Sequence, residues 1–120
     1  MPNQTVTDIK LFMRQTELTD LAQIQKLLRS YTASVKEYNR ICENLRNLIR
    51  NGMVEEMERV MNEMEPSLQE QYKELRDPTV KEFLDMAEIY GLECPVVEDV
   101  LDEVGAAVLG NLGVRPLIIR

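Results

Sequence analysis

Glu98, Asp99, Asp102 and Glu103 stand at i, i+3 and i+4 steps of a segment with helical patterning, the spacing at which carboxylate oxygens can close on a hard cation. A carboxylate metal centre in a helical bundle also needs Glu-x-x-His pairs on facing helices, and the chain contains no His. The four acids therefore read as a solvated helix face. The missing His also removes the commonest general base, the usual partner of a nucleophilic Ser or Cys, and the most frequent transition-metal ligand. Hydrolase and zinc chemistry are disfavoured on that ground. Cys42 and Cys94 lack the CxxC spacing of a redox or metal pair, and Cys42 falls among apolar positions as a small buried hydrophobe, which suits a reducing compartment. Gly110-Asn111-Leu112-Gly113 is a GxxG without the basic neighbours of a nucleic-acid clamp and reads as a helix end. Neither a P-loop nor a GxGxxG stretch occurs. No catalytic, cofactor-binding or metal site is assigned, no cofactor is expected, and the chain reads as a non-enzymatic protein.

Charge narrows the partners. Residues 1–52 carry eight basic and five acidic side chains, whereas residues 53–120 carry six basic and sixteen acidic ones, for a net charge of −7. The halves are complementary, so the more basic first half is expected to lie against the acidic remainder; an acidic second half that attracts a basic partner is the alternative. Phosphate binding needs a dense basic surface, so nucleic acid is not an expected partner. Apolar runs such as Val104 to Leu109 fall far short of the roughly 18–20 residues that span a bilayer, and the N-terminus lacks a signal-type apolar stretch. No membrane association is expected, and the location is read as cytoplasmic.

The elements that would carry any site follow from periodicity. Apolar residues step outward from Asn51-Gly52 in matched spacing: Ile49/Val54, Leu45/Met57, Cys42/Met61, Tyr38/Met64, Val35/Leu68, Tyr31/Tyr72 and Leu28/Leu75, each pair summing to about 103. This predicts an antiparallel helical hairpin over residues 17–76, with a first leg running from Thr16 or Thr19 to Arg50, on the order of 50 Å long. Gly52 supplies its left-handed C-cap. Pro66 is expected to kink the return leg without ending it, because the apolar spacing continues beyond it. A short helix over Thr5 to Gln15 precedes the hairpin, capped by Thr7 or Asp8. Helices over Thr79 to Tyr90 and Val96 to Leu109 follow, the first ended by Gly91 and the second started at Cys94-Pro95. The expected fold is all-α: a long antiparallel hairpin with two or three shorter helices packed on it, in one domain over residues 1–120, with helices over 79–109 and an apolar tail over 110–120.

The seam has two unlike flanks. Gln25, Thr32, Asn39 and Arg46 form a polar flank facing Glu58 and Glu65, with Arg46 and Glu58 as an expected ion pair. On the other side Leu48/Met53 and Ile41/Val60 pair near the turn, Ser34/Ser67 interrupt, and Leu27 resumes. Each such apolar side chain left in water forfeits about 1.5–3 kcal/mol, so this flank needs a cover. The cover could be the Val97, Val100, Leu101, Val104 and Val108 face, the Ile9, Phe12 and Met13 face, or a second subunit. Beyond Pro78, Leu18, Leu21 and Ile24 should be covered by Phe83, Leu84 and Ala87. The apolar tail, with Leu117, Ile118 and Ile119, is expected to dock on its own domain or on another chain.

Three resemblances bear on function. Ala87, Gly91, Leu92, Val97 and Val100 are spaced as in the helix-turn-helix of bacterial repressors, which implies a transcriptional regulator, although Glu93, Pro95, Glu98 and Asp99 stand where a recognition helix offers Arg, Gln or Asn. The same segment is similar to the helical dimerisation domains of 6-phosphogluconate-dehydrogenase-like enzymes, which would make the chain a fragment. The hairpin over residues 17–76, with its long helix, Gly turn and Glu-rich return, resembles all-helical flagellar and type III export chaperones. That resemblance implies a small cytoplasmic protein that binds protein segments. The reading preferred is a protein-interaction module, self-associating as a homo-oligomer or engaging a protein partner in helix-in-groove fashion through Ile41, Leu48, Met53 and Val60 or through Leu117, Ile118 and Ile119.

Overall fold

The computed structural model describes residues 3–64 and 68–111. All regular structure among them is helical: α1 (Gln4–Phe12), α2 (Leu21–Arg50), α3 (Val54–Glu63), α4 (Leu68–Leu75), α5 (Pro78–Ile89) and α6 (Leu101–Asn111). The expected all-α architecture, a long helix answered by shorter ones, is what the chain forms.

Local chemistry sets most of the ends. Asn3 caps α1 through its side-chain oxygen to the Val6 N–H, and Asp20 caps α2 in the same way at Gln23; both lie upstream or downstream of the Thr and Asp residues first considered, because an Asx side chain reaches the free amides best. At the other end of α2 the Gly52 N–H donates to the Ile49 carbonyl and the Met53 N–H to Leu48, with Gly52 at φ +72°. This paired pattern satisfies two carbonyls that the helix leaves open, and only Gly enters that backbone region without strain. Gly91 (φ +82°) ends α5 with the same two bonds, to Glu88 and, through Leu92, to Ala87. Asp77 caps α5 by accepting from the Thr79 N–H at 2.8 Å, with Pro78 in the first turn, and takes Lys10 Nζ at 3.0 Å. Burial alone would raise the Asp77 carboxyl, but the bonds from Lys10 and from the Thr79 and Val80 amides outweigh it and hold it below its ordinary value.

The seam is the core. Val35, Tyr38, Cys42 and Leu45 of α2 are buried with Met57 and Leu68, while Ile49, Val54, Met61, Met64 and Tyr72 pack at the margin. Two expectations for the return leg need correction. It is not one kinked helix: α3 stops at Glu63, Met64 is extended (φ −87°, ψ 132°), and helix resumes at Leu68. Pro66 and its neighbours Glu65 and Ser67 lie outside the described residues. The mirror register also ends at this break, because the uninterrupted helical advance that carried it is lost. Tyr72 meets the ring of Tyr38 at 6.2 Å between centroids, where the spacing had matched it with Tyr31, and the Tyr31 hydroxyl donates instead to the Leu75 carbonyl at 2.6 Å.

The hairpin is thickened differently at its two ends. Away from the turn, α1 lies on α2 and α5, with Phe12 edge-on to Phe83 at 6.1 Å and Ile9, Ile24, Val80 and Ala87 fully buried between them. Leu18 joins this cluster and its carbonyl accepts from the Tyr90 hydroxyl, while Leu21 remains 42% exposed. At the turn, α6 packs on α2 and α3. No helix among the described residues is long and apolar enough to cross a membrane.

Candidate functional site

The polar flank is covered, and by an unexpected element. Helix was expected from Val96, yet residues 92–100 carry no helix and α6 begins only at Leu101. A non-helical backbone needs hydrogen-bonding partners, and the polar flank supplies them. Asn39 Nδ2 donates to the Val96 carbonyl at 2.9 Å and Asn39 Oδ1 accepts from the Glu98 N–H at 2.9 Å, so one side chain mimics a strand neighbour. Arg46 binds the Glu98 carboxylate, reaches Glu103 at 3.1 Å and donates to the Asp99 carbonyl at 3.0 Å. Asp99 Oδ1 then accepts from the Leu101 N–H and starts α6. Three of the four carboxylates first weighed as a cation site thus clamp and cap the C-terminal segment. No cluster of His, Cys, Asp or Glu suited to a metal ion occurs among the described residues. The spacing resembling a helix-turn-helix has no second helix at Val96 to Val100.

The apolar flank is covered over half its length. Asn3 at the start of α1 donates from Nδ2 to Ser34 Oγ (3.4 Å) and from its backbone to Glu74 Oε2 (2.9 Å), and α1 runs from there toward Asp77. Leu27 is 6% exposed on this half, and Asn3, at the start of α1, reaches Ser34. The remaining half, toward the turn, holds the residues singled out from the sequence. Ile41, Leu48 and Val60 are half-buried, packed on the core from one side, and Met53 is 43% exposed. The Gly52 cap brings Met53 back over Leu48, which makes these two a continuous apolar step at the loop end. Of the three covers considered, the Val97, Val100, Leu101, Val104 and Val108 face belongs to a segment that Asn39 and Arg46 hold at the opposite flank; Val100 and Val104 are buried there or beneath it, in the core. Leu117, Ile118 and Ile119 lie outside the described residues.

One concavity was not anticipated. Gln25, Arg29, Thr32 and Lys36 of α2 line a groove of about 620 Å³ closed by Leu92 and Glu93. The signal was present as the upper half of the polar flank, but the groove forms only because the segment after Gly91 is not helical and sets Leu92 and Glu93 against α2.

Within the core, Tyr38 Oη is buried and has no hydrogen-bond partner of ordinary geometry; beside it lies the Cys42 thiol, a weak one. Burial pushes the Tyr38 hydroxyl and the Cys42 thiol upward, keeping both neutral, and it raises Tyr31 from 10.0 to about 12. Cys42 and Cys94 are free thiols, Cys94 also raised by burial, so neither has the lowered pKa of a nucleophile. Comparison of the chain with protein-family models, with characterised proteins and with solved structures found no match.

Proposed function

We propose that this chain is a non-enzymatic protein-interaction module, an adaptor or export-chaperone-like protein of the cytoplasm, that receives an apolar segment of a protein partner or of a second copy on the turn half of its apolar flank. The observation that carries this reading is the division of that flank. One half is sealed by α1, and the half bearing Ile41, Leu48, Met53 and Val60 faces away from α6. Apolar steps on two antiparallel helices form the kind of surface into which an amphipathic helix lays its own apolar face. The flexible Met53 side chain suits a surface that must adapt to what it binds. Nucleic acid is not the ligand we favour, because Arg46, the basic residue at the centre of the covered flank, is engaged by Glu98 and Glu103.

The test is a photo-reactive amino acid replacing Leu48 in the cell. A discrete protein adduct at that position, absent when the same residue replaces exposed Glu82 of α5 and lost on Ile41→Asp, is the expected result. Equal labelling at both positions, or no protein adduct at Leu48, would contradict the reading.

A further inference from the structure

The groove along α2 and the end of α5 beside it carry opposite charge. Arg29, Ala33 and Lys36 stand at i, i+4 and i+7 on an exposed face of α2, so a small residue lies one turn from each of two cations. Neither cation forms an ion pair among the described residues, although the chain has a net charge of −7. Leu28 and Leu92 give the groove an apolar lining, and Glu93 offsets only one of the two positive charges. Leu92 stands there because its N–H donates to the Ala87 carbonyl at 3.1 Å, which folds the chain back onto the last turn of α5. That turn ends in Ile89, which is 84% exposed and takes no part in lining the groove. Asp85 and Glu88 beside it are exposed acids. An acid in the last turn of a helix faces the negative end of the helix dipole, and α5 has no basic residue in that turn to compensate Glu88.

We propose that two copies of this chain pair about a two-fold axis, each seating Ile89 over Ala33 in the other's groove and its Asp85 and Glu88 against Arg29 and Lys36. The exposed aliphatic side chain gains an apolar lining, and the acids gain the cations that their own helix lacks. Asp85 lies one turn from Ile89, and each cation lies one turn from Ala33, so the charges match whichever way the two helices run. Glu82 lies a further turn away and stays outside the contact. Knob and groove adjoin on one surface, so exchanging them makes every contact twice and closes the assembly at two copies. The pairing uses neither Met53 nor Val60 and does not depend on the apolar flank being a docking surface.

The experiment is analytical ultracentrifugation of the full-length chain and its variants over a roughly hundredfold range of concentration. The chain is expected to pass from monomer to dimer and no further. Arg29→Glu/Lys36→Glu and Asp85→Lys/Glu88→Lys each turn both contacts repulsive, whereas a mixture of these two variants makes both attractive. Each alone should associate at least about tenfold more weakly, and the equimolar mixture should recover the dimer. Ile89→Ser removes a side chain that the monomer leaves in water, so it should weaken association about tenfold with the helical circular dichroism unchanged. Val60→Asp should leave the association constant as it is. A monomer at every concentration would overturn the proposal, as would a mixture that associates no better than its components, or growth past two copies. So would a dimer that survives Arg29→Glu/Lys36→Glu, and its loss on Val60→Asp would then place the second copy on the apolar flank.

Discussion

Two tyrosines two turns apart on one face of α2 carry opposite hydrogen-bond accounts. Tyr31 is fully buried and donates at 2.6 Å to the Leu75 carbonyl, closing α4 onto α2, whereas Tyr38 Oη lacks an ordinary partner. Removing a satisfied buried hydroxyl loses a net bond and strands its acceptor, while removing an unsatisfied one relieves a desolvation cost. Denaturant unfolding should therefore show Tyr31→Phe destabilised by about 1 kcal/mol and Tyr38→Phe unchanged or slightly more stable, with the aromatic contact to Tyr72 retained. The pH dependence has a defined sign. Tyr31 is raised from 10.0 to about 12, so the folded state holds its proton more tightly than the unfolded one. Its contribution is complete below pH 10.0 and is lost as pH rises toward about 12, and Tyr31→Phe should flatten that alkaline decline.

The least local element is the non-helical segment 92–100, held on α2 from a distance of more than fifty residues in the chain by Asn39 and Arg46. Both side chains bind main-chain atoms, so truncating either should release the segment without emptying the core. Hydrogen exchange is expected to report faster opening of residues 96–104 in Asn39→Ala and in Arg46→Ala, with residues 35–45 of α2 unaffected. Only the Arg46 effect should be reproduced by added salt, which weakens the ion pairs with Glu98 and Glu103. Uniform loss of protection along α2 would contradict this division. The segment also shows what could be read in advance. Glycine caps at Gly52 and Gly91, the helix expected over Thr79 to Tyr90 (α5) and the α2 seam are written in neighbouring residues and formed as expected. Pro95 followed by valines and carboxylates reads locally as a helix start. It forms no helix before Leu101, and Asn39 offers a donor and an acceptor to its backbone, a fact located elsewhere in the chain. For the same reason, a polar flank that looked solvated acquired a cover, and the return leg lost its register once Met64 left the helix.

At the scale of the whole molecule, the long helix is shared by two different packings: α1 and α5 at one end, α3 and α6 at the other, with the covers on opposite flanks. Ile41, Leu48, Met53 and Val60 were grouped from helical spacing and hairpin pairing; Ile41, Leu48 and Val60 are half-buried against the core and Met53 is 43% exposed. Which part of that face stays open depends on where α1 stops and which side α6 takes, and neither is encoded near those four residues. The central claim is that this half of the flank serves docking while the half under α1 serves stability. A paired substitution, with unfolding and Leu48-region capture measured on the same proteins, tests it most directly. Val60→Asp should keep the far-ultraviolet helical signal and cost no more than about 2 kcal/mol, yet abolish the adduct formed at Leu48. Leu27→Asp, placing a charge under α1, should cost more than about 4 kcal/mol or prevent folding. If Val60→Asp instead unfolds the chain as Leu27→Asp does, or leaves the adduct intact, the flank is core along its whole length and the account is wrong.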